Sequence, residues 1–210
     1  MLTDFIINSF VVLFVVLDPV GVAPIFAALT HGNTDAYRRQ MAIKGTVLSA
    51  VILILFAFLG HFLLNALGIT LDAFRVAGGL FLLLLSIDMV FARQSGLRGT
   101  TKRENQEAEH KEDISVFPLS IPLIAGPGAI TTMMLLMGET AQQPMWVISL
   151  MLVLVGELLL ILFTLLMAGR IIRIIGETGT NVISRVLGIL LAALAIQYMI
   201  DGIRGGFGMG

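Results

Sequence analysis

Phe14, Pro19 and Pro24 lie five residues apart in FVVLDPVGVAP, and Phe117, Pro122 and Pro127 repeat that spacing in FPLSIPLIAGP. Both motifs sit inside apolar stretches long enough to cross a membrane. Proline removes a backbone donor and clashes with the preceding turn, so two prolines this close break a helix. A broken helix in lipid exposes polar backbone groups, which is tolerated only where protein or a water-filled cavity meets them. Paired interruptions in corresponding halves of a membrane chain point to a transporter's substrate site.

The rest of the chain fits that setting. It is 57% hydrophobic and 13% charged, a composition of membrane proteins rather than of soluble globules. Apolar stretches near 5–28, 42–66, 71–92, 115–138, 146–168 and 183–203 predict an all-α polytopic membrane protein with six spans. The segment 93–114 is polar and carries both charge signs, so it reads as a solvated linker between a first repeat at 1–92 and a second at 115–210. The three histidines are scattered and there is no cysteine, which gives no metal-ligand pattern, and no cofactor is expected. The near-neutral net charge of −1 offers nothing to a nucleic acid. The first apolar run lacks a basic n-region and continues past the length of a signal h-region, so it reads as a retained span.

Six spans put the 1–2, 3–4 and 5–6 connections on one side. That side carries eleven Lys/Arg residues, and the other has only Arg75 and Arg204. Excess Lys and Arg mark the cytoplasmic face, so both termini are expected on the extracytoplasmic side. The third and sixth spans also match: Arg75-Val76-x-Gly78-x-Leu80 recurs as Arg185-Val186-x-Gly188-x-Leu190. With three spans per half, the halves must face opposite ways. The expected architecture is a 3+3 inverted repeat whose first and fourth helices break at mid-membrane.

The run DPVGVAPIF from Asp18 to Phe26, the run PLSIPLIAGPGAI from Pro118 to Ile130 and the terminal DGIR from Asp201 to Arg204 resemble the signatures of the MarC family of bacterial inner-membrane proteins. The resemblance covers nearly the whole chain. It implies a six-span transporter related to the amino-acid exporter superfamily, with glycine- and alanine-like substrates.

A small zwitterion needs amide donors for its carboxylate and carbonyls or an acid for its ammonium. The two ends of a broken helix supply both, because the helix N-terminus is electropositive and the C-terminus electronegative. The candidate substrate-binding residues are Asp18, Pro19, Gly21 and Pro24 in the first motif. In the second they are Pro122, Gly126, Pro127, Gly128, Thr131 and Thr132. The glycines admit close approach of a ligand to backbone. Pro24 and Pro127 suit the first position of the outgoing half-helices, and the threonines add hydroxyls. The bland alternative is that these residues only kink the spans for packing.

Two acids lie within spans, where charge is costly and marks function by default. Asp18 sits at the first break and Glu157 at the centre of span five. Either could hold the substrate ammonium or carry a coupling proton; equally, Asp18 could cap a half-helix and Glu157 could belong to a buried pair that fixes packing. Small residues at Gly78, Gly79, Gly188 and Ala192 read as helix-packing contacts, and Trp146 as an interfacial anchor. The leading reading is a secondary transporter of small neutral amino acids, coupled to a proton or a sodium ion and able to form a homo-oligomer. An efflux pump for other compounds would want a roomier aromatic cavity. A membrane enzyme would want clustered catalytic groups, which are not visible, so no enzymatic activity is expected. A partner protein without transport leaves the paired breaks unexplained.

Overall fold

The computed structural model describes residues 1–91, 113–140 and 143–208. The expected linker at 93–114 lies almost entirely outside them. The described residues are helical, with no strand. In chain order the helices are α1 (Leu2–Leu17), α2 (Pro19–Leu29), α3 (Asp35–Ala66), α4 (Leu71–Val90), the short and irregular α5 (Ser115–Ile124), α6 (Pro127–Thr140), α7 (Pro144–Leu166) and α8 (Ala168–Gly206). Five helical stretches are long and apolar enough to cross a membrane, or six when α5 and α6, bent by 58° to one another, count as one.

Local chemistry explains where these helices start and stop. Thr34 and Thr70 accept from the amides of Tyr37 and Ala73 and so cap α3 and α4. The residue before a proline is pushed out of the helical region. Accordingly α1 stops at Leu17, because Asp18 precedes Pro19 and adopts a left-handed conformation (φ 46°, ψ 65°). The same rule acts twice in α5. Phe117 precedes Pro118 with φ −131° and ψ 127°, and Ile121 precedes Pro122 with φ −124° and ψ 123°. Both of those X–Pro peptides are cis. In α8, Gly176 turns the chain at φ 73° and ψ 165°, which glycine alone adopts cheaply, and the span proper runs from Thr178 to Gly206.

The centre of the bundle is filled by Leu13, Leu17, Phe26, Leu119, Leu123, Met133 and Leu150, all essentially inaccessible. The outer surface is apolar too. Val51, Leu55, Phe58 and Phe62 form an exposed stripe along α3 at helical spacing, which suits lipid rather than water. The most extensive pairing joins α4 and α8. It is built on small residues: a Cβ on Gly188 would lie 2.9 Å from Met89 Cβ, and one on Gly79 would lie 2.5 Å from Met199 Cγ. Apart from α6 with α7 and α7 with α8, each extensive pairing joins an element of residues 1–91 to one of residues 113–208.

Candidate functional site

The first interruption is closed by its own acid. Asp18 is 1% exposed. Its Oδ1 accepts from the Gly21 amide at 3.0 Å, and the Ser184 hydroxyl of α8 donates to Oδ2 at 3.4 Å. Asp18 therefore caps α2, and Pro19 holds that helix's first position. Gly21 is bare for a plain reason: a Cβ there would stand 2.1 Å from Asp18 Oδ2 and 2.8 Å from Ser184 Oγ. Pro24 departs from expectation. It lies inside α2 and does not start the half-helix, because the αL cap at Asp18 begins the helix one motif position earlier.

The second interruption is open. Between α5 and α6 the chain passes through Ala125 and Gly126, and Pro127 begins α6 as expected. A Cβ on Gly126 would meet the Pro122 carbonyl oxygen at 2.4 Å, so this bend requires glycine. A cleft lies here, bounded by Val16 of α1, Leu85 of α4, Pro122, Gly126, Pro127, Gly128 and Ala129. Its free space for a water centre is about 10 Å³, enough for a single water. No charged side chain lines it. The polar groups near it are backbone: the first-turn amides of α6, which have no partner within their own helix.

Thr132 shares the face of Gly128 and Ala129, one turn further along α6. It is 0% exposed, and its hydroxyl has no hydrogen-bond partner among the described residues. The hydroxyls of Ser9 and Thr46 are likewise buried without a partner, whereas those of Thr30, Ser49, Ser149, Thr164 and Thr180 each donate to the carbonyl four residues back. Thr131 instead puts its methyl into the space left by Gly78, so it packs α6 on α4.

The structure thus gathers Pro122, Gly126, Pro127 and Gly128 at one cleft, with Thr132 on the same helix face. Asp18, Pro19, Gly21 and Pro24 form a separate cluster, linked to the cleft through Val16. Glu157 is fully buried on α7, with neither carboxyl oxygen partnered. Trp146 packs against Phe5, with ring centres 4.8 Å apart and planes tilted by 37°, and so ties α7 to α1.

Several polar contacts had no signal in the sequence. Arg75 of α4 reaches Asp72 at 3.2 Å and Glu139 of α6 at 3.4 Å. Lys44 of α3 meets Asp113 at 2.9 Å. The Ser120 hydroxyl donates to the Gly45 carbonyl at 2.9 Å. These pairs are 64 or more residues apart in sequence, apart from the local Arg75–Asp72 contact. Asp113 is held at about 2, below the usual carboxylate range. The Ser115 hydroxyl acts most strongly, then the hydrogen bond from Lys44 and the Ser115 amide.

Residues 3–207 match the family model described as MarC family integral membrane protein. This chain belongs to the MarC family. The UPF0056 membrane protein YvbG of Bacillus subtilis is 37% identical over 210 residues, covering 99% of this chain and 98% of the relative. The UPF0056 membrane protein MJ1677 of Methanocaldococcus jannaschii is 36% identical over 204 residues, covering 96% and 97%. The UPF0056 membrane protein YhcE of Escherichia coli is 34% identical over 201 residues, covering 94% and 91%. These names place the MarC-family relatives in membranes and specify no substrate. No solved structure matches the chain.

Proposed function

We propose that this MarC-family protein is a secondary transporter of small neutral amino acids, working by alternating access from the cleft at the α5–α6 break. The observation that carries the reading is that cleft: an interrupted helical segment whose free helix N-terminus faces a small unfilled space. A substrate carboxylate would take the α6 first-turn amides and the Thr132 hydroxyl, since a helix N-terminus favours anions. Its ammonium would face the carbonyls released where α5 is irregular. With room for only one water, the cleft represents a closed form, and loading a substrate requires its walls to part. The narrow, largely apolar walls favour glycine- and alanine-sized solutes over bulky ones.

The reading includes a 3+3 inverted repeat, with the first and fourth spans broken near mid-membrane. The packing supports it. Let the halves trade places, so that α1 and α2 exchange with α5 and α6, α3 with α7, and α4 with α8. Then α3·α5 becomes α7·α1, α3·α6 becomes α7·α2, and α2·α8 becomes α6·α4, while α4·α8 and α3·α7 map onto themselves. All of these pairs are in close contact. Met89 and Met199, which meet Gly188 and Gly79, are 110 residues apart, the same offset as Arg75 to Arg185. In the proposed orientation the termini lie outside the bacterial inner membrane, following the Lys/Arg asymmetry.

The test is uptake of labelled glycine and alanine by purified protein in liposomes, including exchange against unlabelled substrate inside. Wild-type protein should take up label faster than empty liposomes. Gly128→Val should remove most of that uptake while the protein remains folded, because even a Cβ at Gly128 would stand 3.0 Å from Leu82 Cδ2. Uptake no faster than that of empty liposomes, for every small amino acid tried, would overturn the reading.

A further inference from the structure

We propose that Glu157 is the site where a coupling proton sits, so that substrate movement is driven by the proton gradient; this rests on the transporter reading above. Among the described residues two acids are fully enclosed, Asp18 and Glu157, and their surroundings differ. Asp18 accepts from the Gly21 amide and the Ser184 hydroxyl, so its charge is already occupied in capping α2. Glu157 has no partner at either oxygen. An ionised carboxylate buried without a partner is strongly disfavoured. The group must therefore gain a cation when it is enclosed and lose it when it meets water.

A proton is the cation that fits. A metal ion would need several ligands; among the described residues no group of three or more His, Cys, Asp or Glu could hold one, and no hydroxyl hydrogen-bonds either Glu157 oxygen. A proton needs only the carboxyl itself.

Glu157 also stands at the right depth. Trp146 packs against Phe5, so the starts of α7 and α1 lie together; α7 packs on both α1 and α2, and in the proposed topology α1 and α7 run in the same direction. Eleven residues beyond Trp146 is Glu157, and eleven beyond Phe5 is Val16. At about 1.5 Å per residue on both helices, Glu157 is level with Val16. Val16 in turn lines the cleft, with its Cγ1 3.9 Å from a Cβ built on Gly128. Proton and substrate sites thus share one layer of the bundle.

The neighbouring charges leave Glu157 to itself. Of the elements packed on α7, α1 and α2 contribute Asp18 near this level. In α3, Lys44 lies toward one end, engaged by Asp113, and His61 toward the other. Glu139 of α6 lies at the His61 end, engaged by Arg75. Arg185 of α8 follows Ser184 but is exposed. None of these forms a hydrogen bond or ion pair with Glu157.

Two measurements test this. The first needs no substrate: infrared difference spectra of the protein in lipid, recorded across pH and in heavy water. A protonated carboxyl band that shifts in heavy water should be present in wild type, absent from Glu157→Gln and retained in Asp18→Asn. The second is transport. Wild type should accumulate label when the pH gradient is imposed, and an imposed sodium gradient should do nothing. Glu157→Gln should exchange label but lose gradient-driven accumulation, and Glu157→Asp should restore part of it. Absence of the band in wild type, accumulation by Glu157→Gln equal to wild type, or accumulation driven by sodium would each overturn the proposal. A band without any uptake would overturn the transporter reading and the coupling with it.

Discussion

At Asp18 a single residue decides how the first span is interrupted. Proline at position 19 forbids an ordinary helical continuation, and aspartate is among the few residues that enter the left-handed region at low cost. Once there, its carboxylate reaches the Gly21 amide. Asp18→Asn keeps a capping oxygen and should change stability little. Asp18→Ala should cost about 0.5–2 kcal/mol, the usual worth of an N-cap, read as a lower unfolding temperature in detergent. If Asp18 instead held the substrate ammonium, Asp18→Asn would abolish substrate exchange in liposomes while leaving the unfolding temperature alone. The sequence announced the acid, the proline and the glycine as a group, and it offered capping as one of two roles. It could not announce Ser184, which lies 166 residues away and has no motif of its own. Thr131 and Thr132 show the same limit. Adjacent in sequence and both expected at the site, they point differently on the helix, and only Thr132 keeps a buried hydroxyl without a partner.

At the scale of elements, the doubled proline spacing was legible, but the place where each helix gives way was not. Pro19 corresponds to Pro122 and Pro24 to Pro127, yet α2 starts at Pro19 and α6 at Pro127. The cause is an unmatched proline. Pro118 falls where the first motif has Val15, so α5 meets two prolines within ten residues and loses regular turns at Phe117 and Ile121. The first motif meets one and stays helical to Leu17. The irregular α5 is fastened at its start by Asp113, which joins it to Lys44 of α3. Because the Asp113 carboxyl is held at about 2 in the folded protein, below its ordinary value of 3.8, the contact stabilises the fold above the ordinary value and loses its effect as pH falls through about 2. The Asp113 side chain is 45% exposed, so solvent screening keeps the contribution below about 1 kcal/mol. Wild type should unfold at a slightly higher temperature than Asp113→Asn at neutral pH. That gap should close as the solution is taken through the acid range, and a gap that widened on acidification would contradict the assignment.

For the whole molecule, counting apolar stretches led to six expected spans, and the described residues hold five helical stretches of spanning length, or six with the bent pair taken as one, because span length and composition are properties of single segments. How the segments pair is not, and among the described residues most extensive pairings cross between residues 1–91 and residues 113–208. The span at α3 packs on α5, α6 and α7, and α1 packs on α6, α7 and α8. Within residues 1–91, α3 has no extensive contact with α1 or α4, its neighbours in sequence. The first half by itself would leave small-residue faces such as Gly45, Gly60 and Gly78 without the Leu119, Met134 and Thr131 side chains that fill them. In lipid, where close van der Waals packing rather than hydrophobicity holds helices together, such faces have no substitute partner. Residues 1–100 and 101–210 expressed as separate chains should therefore each be degraded alone, but should co-purify and exchange substrate when made together. The linker between them would then be dispensable for assembly. A first half that is stable and monodisperse by itself would show that the interleaved contacts are not what holds the bundle, and motion of one repeat as a rigid body against the other would again be open. If the halves need each other, the alternating access proposed above cannot be the motion of one whole repeat against the other, because α4 of the first repeat and α8 of the second form the most extensive pairing in the bundle.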